Sequence, residues 1–249
     1  MNKPYIGVTD FTDSDQVMQA LDCIPLNINR RLHVGIMCSY KTLHGIPTSS
    51  GWEHIWPTHS QVRELFKDVP RVYNVIHYAD YDDLTSLMEI QMALDYAGEH
   101  VNAIQLDMKW PSPQLLEDIK RTNPTIDIIQ QIGRTAMNQS SDWEKDLAQY
   151  DALADYVLLD YGMGRGTPFA SEHMLELVET ALMYFGEDQI AVAGGLGPNT
   201  YRNLAPVFDV YQDLSCDAQG QLRSSLDARF PLEMDRVCDY IRGVCSLIR

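Results

Sequence analysis

The stretch "YVLLDYGMGRGTPF" (156–169) contains the pattern from which the fold is predicted. Its apolar run ends abruptly in a carboxylate, Asp160, and three glycines separated by single residues follow. Apolar residues at helical spacing come next, from Met174 to Phe185. A short apolar run, a glycine-rich turn and an amphipathic helix in this order are typical of one strand–helix unit of an α/β protein.

The same unit repeats along the chain. Several of the apolar runs are apolar on both faces, as parallel strands covered by helices must be. Because eight such units in order fill 249 residues, the sequence predicts a (β/α)8 TIM barrel, with a doubly wound open sheet as the alternative. The predicted strands are residues 4–8, 33–38, 72–78, 101–107, 126–133, 156–160, 189–195 and 208–214.

The predicted barrel is a single domain of residues 1–249, because no long linker or shift in composition divides the chain. The connection after the second strand, at about residues 42–58, is longer than the roughly 2–6 residues usual for such loops and is interpreted as an insertion. It could form a lid over the barrel rim or an ordered surface loop that packs its own aromatic residues. The residues on which the lid would depend are Trp52, His54, Trp56 and His59.

Charge and composition exclude several partners. The net charge of −16 disfavours binding to the phosphate backbone of nucleic acid. No apolar run approaches the roughly 20 residues that span a bilayer, and the amino terminus lacks the core of a signal peptide. The five cysteines contain no CxxC pair and are interpreted as reduced, packed thiols. We therefore expect a cytoplasmic monomer or homodimer with no membrane contact.

The candidate site follows from the predicted barrel, whose active sites lie at the carboxyl ends of the strands. Carboxylates and a few cations that meet on one rim suit proton transfer on a polar ligand. Each of these side chains could equally cap a helix or pair with a neighbour. The candidates at the strand ends are Asp10, Lys41, His44, His77, Asp107, Arg134, Asp160, Gly194, Gly195, Asp213 and Ser215.

The loop after the seventh predicted strand, "GGLGPNTYRNL" (194–204), indicates a phosphate site. Gly194 and Gly195 let the backbone approach a ligand, and Pro198 begins a helix whose amides can hold an anion. Phosphate binds at the loops after strands 7 and 8 in many barrels. Arg165 could add a bidentate contact or be a solvated charge. A tight turn without a ligand is the alternative.

Six segments distributed along the chain carry a resemblance to a known family: "IGVTDFTD" (6–13), "GIMCSYKTLH" (35–44), "AIQLDMKWPSP" (103–113), "LLDYGMGRGTPF" (158–169), "VAGGLGPNTYRNL" (192–204) and "DLSC" (213–216). On these segments the chain resembles, from end to end, the phosphoribosylanthranilate isomerase family, (β/α)8 enzymes of tryptophan biosynthesis. The resemblance implies an Amadori rearrangement of an aminated ribose phosphate, which needs a general acid and a general base but no cofactor.

The resemblance also implies roles for individual residues. Asp160 takes the position of the general acid, whereas the cysteine base of the family falls on Ile6, which cannot accept a proton. Asp10 is the preferred substitute base; Asp107, which stands where the family has a histidine, is a second, and Cys38 is a weaker choice because strand parity points it away from the axis.

The substrate contacts are implied in the same way. The arginine that meets the anthranilate carboxylate falls on His44, near Lys41. Gly194 and Gly195, with the "DLSC" residues Asp213, Ser215 and Cys216, correspond to the phosphate site.

The sequence therefore predicts a diverged, isomerase-like barrel that acts on a phosphorylated small molecule by acid–base proton transfer. The alternatives are an authentic isomerase with a substitute base and a non-catalytic protein that binds a phosphorylated ligand. A divalent metal on His77, Asp107 and Asp160, as in the related pentulose-phosphate epimerases, is disfavoured because the two-histidine, two-aspartate pattern of those enzymes is not reproduced. We expect no metal and no cofactor.

Overall fold

A computed structural model of the chain describes residues 3–47, 56–160, 162 and 171–249. Within these ranges, eight parallel strands close into a barrel in sequence order, and β8 pairs with β1. The prediction of a (β/α)8 TIM barrel is therefore confirmed. The strands are β1 (Tyr5–Thr9), β2 (Arg31–Ser39), β3 (Val72–Asp80), β4 (Ala103–Met108), β5 (Asp127–Gly133), β6 (Tyr156–Asp160), β7 (Ile190–Ala193) and β8 (Ser215–Ala218).

Helices follow the strands and cover the outside of the barrel. Their amino-terminal caps are readable in the sequence: Ser112 accepts from the amide of Leu115 ahead of Pro113, and Ser86 forms a capping box with Glu89. The helices are α1 (Ser14–Asp22), α2 (Tyr40–Leu43), α3 (His59–Leu65), α4 (Leu87–Ala97), α5 (Pro113–Thr122), α6 (Arg134–Gln139), α7 (Trp143–Ala148), α8 (Ser171–Ala181), α9 (Ala205–Phe208) and α10 (Met234–Cys245).

Alternate residues of each strand face either the helices or the barrel axis, since the side-chain period of a strand is two. Ile6 of β1 and Cys38 of β2 belong to the large apolar cluster between strands and helices. The expectation that Cys38 points away from the axis is therefore confirmed. Ile6, on which the base of the resembled family falls, is turned away from the axis as well as being unable to take a proton.

An aromatic layer fills the amino-terminal end of the barrel. Tyr5, Tyr73 and Tyr156 are buried inside it, with ring centroids 5.6–6.0 Å apart. The guanidinium of Arg31 lies 3.7 Å from the centre of the Tyr73 ring and donates to the Tyr156 hydroxyl at 2.7 Å. This layer closes the floor of the barrel.

The eighth strand was predicted wrongly. Residues 208–214 are apolar enough to suggest a strand, but Phe208 ends α9, and β8 begins only at Ser215. A short apolar run cannot distinguish a buried strand from a buried helix end. The true strand reads "SCDA" and carries an inward-facing aspartate, Asp217, so it gave no apolar signal.

Two further observations bear on the expected partners and thiols. None of the described helices is long and apolar enough to cross a membrane. The five cysteines are buried free thiols, as the sequence predicts.

Candidate functional site

A cavity of about 720 Å³ lies at the carboxyl ends of the strands. This is the end at which the sequence predicts the site, and the volume is in the range of small-molecule pockets, about 300–1,000 Å³. Every strand contributes at least one lining residue. These residues are Thr9, Met37, His77, Ala79, Gln105, Asp107, Gln131, Leu158, Asp160, Ala193, Asp217 and Ala218.

His77 of β3 and Asp107 of β4 form a hydrogen-bonded pair in the cavity wall. Nε2 of His77 lies 3.3 Å from Oδ2 of Asp107, and the Tyr81 phenol donates to the other carboxylate oxygen. Burial lowers the pKa of His77, but the hydrogen bond and charge of Asp107, together with the charges of Asp217 and Asp10, outweigh it, so the net shift of the His77 pKa is upward. The pair can therefore hold and deliver a proton.

Two glutamines connect this pair to Asp160 of β6. Nε2 of Gln105 lies 3.3 Å from Nδ1 of His77 and donates to Oε1 of Gln131 at 2.7 Å. Nε2 of Gln131 then donates to Oδ2 of Asp160 at 3.3 Å. Because an amide nitrogen only donates, the neutral His77 ring is assigned its proton at Nε2, facing Asp107. Four adjacent strands thus carry one continuous polar network.

Asp160, the predicted general acid, is only 8% exposed and lines the cavity. Its Oδ1 accepts from the backbone amide of Gly162 at 2.9 Å. Asp160 is the last residue of β6, and its side chain lines the cavity at the strand end that the sequence predicts. Asp107 lines the same cavity.

Asp217 of β8 also faces this cavity and was not singled out in the sequence. It is 6% exposed, and its Oδ1 has no hydrogen-bond partner. Burial, opposed by the charge of His77, raises the pKa of Asp217 to about 7. His33 lies 3.8 Å from the same oxygen, but burial lowers the pKa of His33 to about 3, so this ring is neutral and does not balance the carboxylate.

Gly7 makes room for Asp217 in the barrel. A Cβ atom at position 7 would lie 2.4 Å from Oδ1 of Asp217 and 2.7 Å from Nδ1 of His33. Since Gly7 and Asp217 pair across the β1–β8 register, the missing side chain of one strand leaves space for the carboxylate of the next. The sequence feature that could have indicated this site is the combination of Gly7 inside β1 with the single acidic residue of β8, Asp217.

The glycine loop after β7 borders the cavity as predicted. Gly194 and Gly195 have φ angles of 114° and 67°, in the region that favours glycine. A Cβ atom on Gly194 would lie 2.7 Å from the backbone nitrogen of Gly162. Gly194 therefore packs directly against Gly162.

The prediction of three phosphate ligands is wrong, because they lie before or at the start of β8, away from the cavity. Asp213 precedes β8 and lies 3.9 Å from Arg30. The Ser215 hydroxyl accepts from the backbone amide of Tyr5, the first residue of β1. Cys216 turns toward α10, where the Tyr240 hydroxyl donates to its sulfur at 3.3 Å. The misplaced eighth strand is the cause of all three errors.

Asp10, the preferred substitute base, is also displaced from the cavity. It follows β1, but its side chain turns into the protein, where Arg223 and Gln219 donate to its Oδ2 at 2.7 and 3.0 Å. This carboxylate is therefore committed to an internal ion pair, and it is not among the residues that line the cavity.

Three predicted cationic residues, Lys41 and His44 after β2 and Arg134 after β5, do not line the cavity. Lys41 is exposed on α2. The His44 ring centroid lies 4.1 Å from that of Tyr40, with the two planes tilted by 34°, and His44 lies 3.5 Å from a carboxylate oxygen of Glu89. Arg134 begins α6, away from the cavity lining.

The candidate lid and the glycine-rich loop after β6 are described only in part. Trp56 lines the cavity, whereas His59 stacks against Tyr96 with a centroid distance of 5.7 Å. Trp52, His54 and Arg165 lie outside the described residues. The described part of the chain contains no group of three or more His, Cys, Asp or Glu side chains that could hold a metal ion.

The sequence matches no family model and no curated protein. In structure the chain is similar to the tryptophan synthase alpha chain of Legionella pneumophila, at a TM-score of 0.57 and 12% identity over 99% of this chain and 92% of that one. It is similar to the catalytic domain of a Pyrococcus furiosus chitinase, at 0.58 and 8% over 97% and 96%. It is also similar to the HMG-CoA lyase of Brucella melitensis, at 0.52 and 10% over 99% and 98%. At such identities the likeness shows the TIM-barrel fold alone.

Proposed function

We propose that the protein is an enzyme that moves a proton on a small polar substrate held in the cavity at the carboxyl ends of the strands. Two proton-carrying groups face this space: the His77–Asp107 pair and Asp217. The observation that carries the proposal is that His77, 3.3 Å from Asp107, and Asp217 line one cavity from different strands. Their environments raise the pKa of both His77 and Asp217, that of Asp217 to about 7. Acids and bases that titrate near the working pH are the most effective in proton transfer.

The proposed reaction uses the two groups in opposite roles. Asp217, when ionised, takes a proton from a carbon next to a carbonyl or iminium group of the substrate. The protonated His77, held by Asp107, delivers a proton to the oxygen or nitrogen on which negative charge develops. Asp217 then returns its proton to the neighbouring carbon, and His77 takes a proton from the oxygen or nitrogen that becomes the new carbonyl or iminium group. Both groups regain their starting states, and the isomerisation has no net gain or loss of protons or electrons. Asp160 orients a hydroxyl group of the substrate.

Isomerase-like chemistry of this kind agrees with the resemblance to phosphoribosylanthranilate isomerase, with one change in the assignment. Neither Ile6 nor Asp10 supplies the base in the proposal. Asp217 replaces them, because it pairs with Gly7 in the register and so places a titratable group beside β1. Asp160 keeps its place at the end of β6.

A phosphorylated substrate is the second candidate. It is favoured by the glycines that border the cavity after β7 and β8, namely Gly194, Gly195 and Gly220, because no side chain separates their backbone from a bound anion. It is opposed by charge, since the described lining residues include four aspartates but no lysine or arginine. A phosphate would meet mainly negative charge there.

The experiment is proton exchange with solvent. The protein is incubated in D2O with aldoses, ketoses, amino sugars and their phosphate esters, and deuterium uptake at carbon is followed by NMR. We expect at least one compound to exchange and the rate to fall by about a hundredfold or more in Asp217→Asn and His77→Gln, the usual range for loss of an acid–base group. Asp209→Asn, an exposed substitution that affects only a surface pair with Arg249, should leave the rate unchanged.

The outcomes separate the candidates. Exchange confined to phosphate esters would favour the second candidate over a neutral or cationic substrate. Exchange in the wild type that persists in both Asp217→Asn and His77→Gln would contradict the assigned roles. No exchange in any compound would contradict the enzyme proposal and favour a binding protein.

A further inference from the structure

Two thiols, those of Cys23 and Cys238, meet between the first and the last helix of the chain. Cys23 is the carboxyl-terminal cap residue of α1, and Cys238 lies in the second turn of α10. The two helices pack against each other, because the strands that they flank, β1 and β8, pair and close the barrel. A site formed by these thiols therefore lies where the two ends of the chain come together.

Both thiols donate to one acceptor, the backbone carbonyl oxygen of Gln19. The sulfur of Cys23 lies 3.3 Å from this oxygen, and the sulfur of Cys238 lies 3.9 Å from it. The carbonyl belongs to the last turn of α1, where carbonyl groups have no partner within the helix. Because the two sulfurs share one oxygen atom, they are neighbours, although 219 positions separate Gln19 from Cys238.

The surroundings of the two thiols place them just below the surface. Cys23 and Cys238 are 4% and 5% exposed, but Asp22 and Arg242, whose charges act on the Cys23 thiol, are exposed side chains. Burial and the neighbouring Cys238 thiol raise the pKa of Cys23 to about 12, so the thiol is protonated at neutral pH. A reagent no larger than a few water molecules has a short path to this pair.

We propose that Cys23 and Cys238 form a modification site, at which a hydroperoxide oxidises the two thiols to a disulfide that joins α1 to α10. In the first step the Cys23 sulfur bonds to an oxygen of hydrogen peroxide, the O–O bond breaks and one water leaves. In the second step the Cys238 sulfur displaces the hydroxyl group from the Cys23 sulfenic acid as a second water. The two thiols lose two electrons and two protons, and the peroxide gains them.

The disulfide has a consequence for stability that is separate from the proposed enzyme, because neither cysteine lines the cavity. It connects the first helix to the last and so closes a loop that contains most of the barrel. In the chain-entropy account, a cross-link restricts the unfolded chain more strongly as the closed loop becomes longer. Oxidation should therefore make the barrel more resistant to unfolding.

The test treats the folded full chain with hydrogen peroxide at mildly alkaline pH, where the thiolate fraction is larger. Free thiols are counted, and mass spectrometry of unreduced peptides identifies the linked cysteines. We expect the loss of two thiols, a cross-link between Cys23 and Cys238 within one chain, and its reversal by dithiothreitol. The oxidised protein should melt about 5 °C or more above the reduced one.

Two serine variants serve as a matched pair. Cys245→Ser removes another buried cysteine of α10 but keeps both proposed partners, so it should form the cross-link and show the thermal shift. Cys23→Ser should show neither. The peptide analysis of the wild type decides the question even if a variant fails to fold.

Three results would overturn the inference. The first is a wild type whose thiols stay reduced or are oxidised only to sulfinic or sulfonic acids. The second is a disulfide that joins other cysteines or two molecules. The third is a Cys23–Cys238 bond that forms as fast in the urea-unfolded chain as in the folded one, since the fold would then not bring the sulfurs together. None of these results bears on the proposed proton transfer, which the deuterium exchange tests separately.

Discussion

Nη2 of Arg223 lies 2.7 Å from Oδ2 of Asp10, and neither side chain is exposed to solvent. Arg223 also donates to the carbonyl oxygens of Gln219 and Phe230, so one buried guanidinium connects the end of β1 to both ends of the loop that follows β8. Ser225 to Ala228 of that loop line the cavity. The ion pair therefore holds one wall of the candidate site in place.

Asp10→Asn should destabilise the fold strongly. The substitution leaves the Arg223 charge buried without a partner, which typically costs about 3–5 kcal/mol of unfolding free energy. Urea unfolding measures the effect. The double variant Asp10→Asn/Arg223→Met removes both charges and should recover most of the loss. A single variant that loses less than about 1 kcal/mol, the scale of an exposed pair, would show that the pair does not anchor the loop.

The stability of the protein should depend on the ionisation of Asp217. Its pKa of about 7 in the folded state exceeds the ordinary value of about 4, so the folded state binds more protons between these pH values. The free energy of unfolding should therefore fall as the pH rises from about 4 to 7, by on the order of 4 kcal/mol from this group.

Urea unfolding of the wild type and of Asp217→Asn at several pH values isolates this contribution. His77, Asp160 and Asp10 also act on Asp217, so the difference between the two proteins is the quantity to follow. Equal pH slopes in the two proteins would mean that Asp217 titrates in its ordinary range.

His77 should titrate above its ordinary pKa because of Asp107. Nitrogen-15 NMR of the imidazole gives both the pKa and the tautomer, and we expect the neutral ring to carry its proton on Nε2. In Asp107→Asn the two largest raising contributions, the hydrogen bond to a charged group and the charge itself, are lost, while burial and the charges of Asp217 and Asp10 remain, so the pKa of His77 should fall. A neutral ring protonated on Nδ1 would contradict the assigned network, as would an unchanged pKa in the variant.

Gly194→Ala should be much more damaging than Gly45→Ala. Both glycines have positive φ angles, which cost an alanine about 1–2 kcal/mol. A Cβ atom at position 45 meets nothing within 4 Å, whereas at 194 it would lie 2.7 Å from the backbone nitrogen of Gly162. Thermal and urea unfolding of the two variants separate the backbone cost from the steric one. Equal losses would mean that Gly194 does not approach Gly162 as closely as the structure shows.

The predictable parts of the site lie at the ends of strands that can be recognised in the sequence as apolar runs. Asp160 and Asp107 end such runs, and the period of two that turns them inward also turns Gln105 and Gln131 inward. Gln105, two positions before the carboxylate Asp107, was thus a readable member of the network, whereas Gln131 precedes Gly133 and had no such carboxylate beside it. Gly194 and Gly195 were found because a glycine pair directly after an apolar run is rare outside close turns.

Other features depend on contacts that sequence order does not reveal. Asp10 and Arg223 are separated by 213 positions, so nothing local showed that the carboxylate was already paired. Asp217 lies in a strand of four small or polar residues, whose structure is determined by pairing with β7 and β1 rather than by its own composition. Ser215 and Asp213 were misplaced for the same reason.

The layer of Tyr5, Tyr73 and Tyr156, which Arg31 covers, determines how small molecules can enter and leave the cavity. Since these side chains close the amino-terminal end, the cavity in the described part of the molecule is a cup rather than a channel. An arriving molecule and a departing one must use the same mouth, so each occupant has to leave before the next can enter. Entry and exit are therefore sequential events at one opening.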